Sequence, residues 1–133
     1  MDHKVELTLT PQRICDLFVA ALEGGSNYWL RGAEYRGTVE PEDKGVVWWG
    51  SANVFADEGF AAEIKYDDPE GDEGNGKGKK LITHANIQLG LELLKDPNKG
   101  NPVALGRIIA EDEDANDADI FMQLAVLGDV IYG

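Results

Sequence analysis

The sequence predicts an α+β fold: a small antiparallel sheet packed with about four helices, in a single domain spanning residues 1–133. Three observations carry that expectation. Apolar residues recur at three- and four-residue steps in several separate stretches, the period of a half-buried helix. Shorter runs between them have strand length and are bounded by Pro, Gly and Asp turns. The strand-like runs crowd the first part of the chain and the helix-like ones the last. That order, β-α-β-β-β and then α-α-α, keeps helices apart from the sheet instead of interleaving them.

Val5-Glu6-Leu7-Thr8-Leu9 alternates apolar and polar residues and predicts a first strand. Thr10 is placed to cap a helix with Pro11 at its first position, where a missing N–H costs nothing. Ile14, Leu17, Phe18, Ala21 and Leu22 make its apolar face. Gly24-Gly25 ends it, with Gly24 as a left-handed terminator. Residues 28–40 read as a strand with Arg31, Glu34 and Arg36 at polar positions, followed by a turn at Pro41–Gly45. Val46-Val47-Trp48-Trp49-Gly50 and Ala61–Tyr66 read as strands on either side of an Asp57-Glu58-Gly59 turn. A loop over about 67–80, acidic at its start and basic at its end, leads to a brief strand at Leu81-Ile82. Thr83 caps a helix carrying Ile87, Leu91 and Leu94, and Asp96-Pro97 ends it. Asn101-Pro102 opens another with Leu105, Ile108 and Ile109. A last helix runs from about Asp119 to Leu127 and stops at Gly128, and Val130–Tyr132 adds a terminal strand.

Composition narrows the function classes. At 133 residues and 43% hydrophobic content the chain can bury an ordinary core. No run is long enough for a membrane span, and the first residues lack the apolar stretch of a secretory signal. Cys15 is the sole cysteine, so no intrachain disulfide forms, and a cytoplasmic location is expected. The formal net charge of −13 argues against double-stranded nucleic acid as a partner, since neutralising phosphates takes clustered Lys and Arg. One cysteine and two histidines make a zinc site improbable.

Two metal or phosphate motifs fail on inspection. Gly71–Gly78 approaches a P-loop but has no Ser or Thr after its lysine and no helix behind it. Asp112, Asp114 and Asn116 resemble the first ligands of an EF-hand loop. Asp117 stands where the glycine is needed, however, and Gln123 where the bidentate acid is needed. The simpler reading is an exposed acidic turn whose Asp117 and Asp119 complement the N-terminus of the last helix, leaving calcium affinity at about millimolar at best. No nucleophile–base pair emerges, and neither a catalytic role nor a cofactor is expected.

A binding signal survives. Tyr28, Trp29, Trp48, Trp49 and Phe121 are many rings for a chain this size, and a nucleobase needs a flat apolar wall with a few amides or carboxylates at its edge. Asn27, Asn116, Asp117 and Gln123 are candidates for the edge, and Arg31, Arg36 and Arg107 for the phosphates. Tyr28 and Trp29 stand between two readings: core beneath the first helix, or one wall of a pocket. One subunit is short of cations for an anionic ligand, so a homo-oligomer with a shared pocket is expected.

Glu23-Gly24-Gly25-Ser26-Asn27-Tyr28-Trp29, with Asn116–Gln123 and Gly128–Gly133, resembles a widespread group of small phage and prophage proteins. The resemblance covers both ends, about a third of the chain. Through that group it is similar to the first class of Thoeris anti-defence proteins, non-enzymatic sponges for cyclic ADP-ribose-type immune signals. The resemblance implies a nucleotide-binding anti-defence protein acting in the host cytoplasm. Its site would comprise Asn27, Tyr28, Trp29, Arg31, Arg107, Asn116, Asp117, Phe121 and Gln123. The alternative is an acidic interaction protein that mimics DNA and blocks a host DNA-binding or defence enzyme, with Glu111–Asp119 as its densest patch.

Overall fold

The computed structural model, which describes residues 8–43, 45–68 and 76–133, is built around its last helix. That helix, here α5, spans Ala115–Leu127, and nine of its 13 residues are buried. A helix apolar on so many sides has to be wrapped. Helix α1 (Pro11–Ala20) and the turn that follows it, α3 (His84–Leu94) and α4 (Pro102–Ile109) supply that wrapping. Each of these helices begins as its sequence dictates. The Thr10 hydroxyl accepts from Arg13 N and the Asn101 amide oxygen from Ala104 N, while Thr83 and Asn86 close a capping box. Helix α5 starts at Ala115, earlier than the expected Asp119, because Asp114 and Asp117 form a reciprocal capping box.

Three strands form an antiparallel sheet in the order β1 (Leu30–Tyr35), β2 (Ala61–Asp67), β3 (Lys77–Thr83). The α+β class and its antiparallel sheet are therefore as the sequence predicts. A bulge lies between Leu30 and Gly32, so Arg31 has no partner in the β1–β2 register. Ala62, Ile64 and Ile82 turn to the core, and Glu63, Lys65 and Lys79 stand on the alternate positions. Strand β3 reaches back to Lys77, into what reads in sequence as loop. Residues 69–75, and with them most of the P-loop-like run, lie outside the described residues.

Two strand expectations are corrected, and a third, Val5–Leu9, lies mostly outside the described residues. Trp48–Gly50 is a 3-10 turn leading into α2 (Ala52–Ala56). In a strand, two adjacent indoles would face opposite sides. The turn instead sets them edge to face at 5.7 Å, with Trp48 against Tyr35 and its Nε1 donating to Ala33 O at 3.1 Å. That indole occupies the edge of β1 where a fourth strand would pair. Val130–Tyr132 forms no strand, and of the first predicted strand only Thr8 and Leu9 are described, without strand geometry.

The core gathers on Phe18, whose ring lies 4.7 Å from Phe55, 6.2 Å from Trp48 and Phe60, and 6.4 Å from Phe121. These rings are thus packed on one another within the chain. Arg13 ties α1 to the α4–α5 connection, donating to Asp16, Glu113 and Ile108 O, each at 2.8 Å. Among the described residues no helix is long and apolar enough to cross a membrane.

Candidate functional site

The Gly24-Gly25 pair does not end α1 through left-handed backbone, since neither glycine has positive φ. The helix widens into a π-helical turn, Ala21–Gly25, closed by Ser26 N donating to Ala21 O at 2.8 Å. Gly25 is needed for room. A Cβ there would stand 2.2 Å from Ala115 O, at the start of α5. Ser26 O then accepts from the N–H groups of Trp29 and Leu30, at 3.1 and 2.9 Å, and this tight turn aims the polar tips of Ser26, Tyr28 and Trp29 at one point.

That point is Asp119, which is 4% exposed. Its Oδ1 accepts from Ser26 Oγ at 2.8 Å and from Trp29 Nε1 at 2.7 Å. Its Oδ2 accepts from Tyr28 OH at 2.6 Å and from Gln123 Nε2 at 3.1 Å. Four donors replace the water a buried carboxylate loses. Burial first, then the hydrogen bond to Asp119, pushes the Tyr28 hydroxyl up to about 12, which keeps it a donor. Gln123 is fully buried and spends both ends of its amide. Oε1 accepts from Ile131 N and Tyr132 N at 2.8 Å, and Nε2 also donates to Tyr132 O at 2.9 Å.

The predicted residues separate into three places. Asn27, Tyr28, Trp29, Arg31 and Gln123 come together. Trp29 is fully buried, so the reading of it as core describes this state, while Tyr28 is 50% exposed. Arg31 is exposed but occupied, bound to Asp67 at 2.7 Å and to the carbonyls of Asn27 and Tyr28 at 3.0 and 3.1 Å. Arg107 and Asp117 form a second place. The guanidinium makes a two-point contact at 2.6 and 2.7 Å with a fully buried carboxylate, which it holds below the usual aspartate range against the opposing effect of burial. Asn116 is exposed beside that pair, and Phe121 is wholly in the core. Asp117 and Asp119 therefore do not form the exposed turn read from the sequence. Both face inward, each against its own partners.

Sequence reasoning missed Asp119, Ser26, Asp67 and Tyr132. The last was legible only as an alternating apolar end, yet its ring stacks on Trp29 with planes 9° apart and centroids at 5.7 Å. Elsewhere a groove of about 800 Å³ runs between α1, α3 and α4, lined by Leu9, Ile14, Ile87, Leu91 and Leu105. None of the predicted site residues lines it. Among the described residues no group of three or more His, Cys, Asp and Glu is placed to hold a metal ion. No protein-family model, curated protein or solved structure matches the chain.

Proposed function

We propose that this is a phage-type anti-defence protein that binds and withholds a small cyclic nucleotide of the cyclic ADP-ribose kind, without chemistry. One observation supports the reading above the others. The stretches that carry the resemblance come from the two ends of the chain and meet: Ser26, Tyr28 and Trp29 from the first and Gln123 from the second bond to Asp119, and Tyr132 from the third bonds to Gln123 and stacks on Trp29. A half-exposed phenol, an indole and an amide in one corner suit a nucleobase better than an extended polymer. Phosphate binding there means transferring Arg31 from Asp67 to the ligand, so affinity falls as salt rises. Mass spectrometry of nucleotides released by heating the purified protein tests the reading. An intact cyclic nucleotide is expected. A modified product would mean an enzyme, and no release together with no calorimetric heat from cyclic ADP-ribose isomers would overturn the reading.

A second reading, an acidic protein that occupies a basic groove of a partner, is favoured by the exposed Glu111, Asp112 and Asp114 on the α4–α5 connection. It requires that duplex DNA compete with this protein for the partner.

A further inference from the structure

The segment that follows α5 lies across the corner made by Tyr28 and Trp29. Tyr132 stacks on Trp29 and meets Tyr28 edge-on at 6.4 Å. Its hydroxyl donates to Asp67 O, and its peptide groups are gripped by the Gln123 amide. Val130 and Ile131 are 39% and 62% exposed, and residues 129–133 form neither helix nor strand. Gly128, at φ 74°, joins the segment to α5 in a backbone region that glycine enters without strain.

We propose that residues 129–133 are a displaceable strap over a ligand site, and that the ligand is a planar heteroaromatic ring with an adjacent donor and acceptor on its edge, an aminopurine. This rests on the reading of the Tyr28–Trp29 corner as the nucleotide site. The strap supplies in cis the features such a ligand would supply: a flat ring for the Trp29 face, N–H groups for Gln123 Oε1 and a carbonyl for Gln123 Nε2. A carboxamide offering one acceptor and one donor makes the two-point contact that reads an aminopurine edge. With the strap lifted, the indole face and both ends of the amide open together. Because the strap is tethered, it competes at high effective concentration, and ligand affinity is lowered by the fraction of time the site is covered.

The test compares the unmodified protein, full-length Tyr132→Ala and a variant stopping after Gly128. Calorimetry with adenosine and with cyclic ADP-ribose runs beside thermal melts. Both variants should bind at least about tenfold tighter than the unmodified protein. In the unmodified protein, saturating ligand should speed amide hydrogen exchange at Ile131 and Tyr132, a readout that needs no variant to fold. The peptide Gly-Asp-Val-Ile-Tyr-Gly, added to the shortened protein, should bind in trans and be displaced by adenosine. If the peptide binds but neither nucleotide does in any variant, the nucleotide function falls and the strap stands. Where a nucleotide does bind, folded variants that bind it no tighter, or unchanged exchange at Ile131 and Tyr132 under saturating ligand, would overturn the strap, and so would a peptide that does not bind.

Discussion

The indole N–H of Trp29 donates to Asp119 Oδ1 at 2.7 Å, with both side chains buried. With the bonds from Ser26 and Tyr28 to the same carboxylate, it joins the turn after α1 to α5. It gives Trp29 two separable roles, as apolar volume and as a donor to a carboxylate with little access to water.

The two roles can be measured apart. Trp29→Phe keeps most of the ring volume but leaves Asp119 Oδ1 with only Ser26. Losing a hydrogen bond to a charged group costs about 1.5–3 kcal/mol. Trp29→Ala loses the packing as well and should cost about 3–5 kcal/mol. Chemical denaturation of both variants checks this. A Phe variant as stable as the unmodified protein would show that the bond contributes nothing net.

Gly25→Ala isolates the backbone contact. The added Cβ meets Ala115 O, and a backbone atom at the first turn of a buried helix cannot step aside cheaply. We expect a clear drop in melting temperature, whereas Gly24→Ala, whose Cβ meets nothing within 4 Å, should be neutral or slightly stabilising. Equal melting temperatures for the two variants would contradict the close approach.

How much of this was legible beforehand varies by element. Three helix starts are legible because their signals are local: Thr10, Thr83 and Asn101 each act within three residues of themselves. The 3-10 turn at Trp48 is not. Val46–Trp49 has strand composition, and the indole bond to Ala33 O that decides otherwise spans 15 residues. The site was half legible. Asn27, Tyr28, Trp29 and Gln123 stand out for their chemistry, but Asp119 reads in sequence only as an exposed acid complementing the start of the last helix. Only long-range contacts distinguish it. In sequence Arg31 and Arg107 stand as cations open to a phosphate, because pairing with Asp67 and Asp117 leaves no mark there.

The acid limb of stability should report on Asp117. Its carboxyl is held below its ordinary 3.8, chiefly by the hydrogen bonds from Arg107, with burial working the other way. A carboxyl with a lowered pKa in the folded state binds its proton more readily when unfolded. The stability it contributes is therefore fully present above about pH 4 and is lost as pH falls through the lowered value. Asp117→Asn keeps an oxygen for the Asp114 N–H of the capping box but gives up the ionic part of the pair with Arg107. Between about pH 5 and pH 8 the variant should melt below the unmodified protein by a constant margin. Below about pH 4 the margin should shrink, as the unmodified protein loses what the variant already lacks. Melts of both proteins from about pH 8 down to about pH 2.5 decide the matter. A margin that stays constant to the acid end would mean that the charge on Asp117 adds no stability beyond its place in the helix cap.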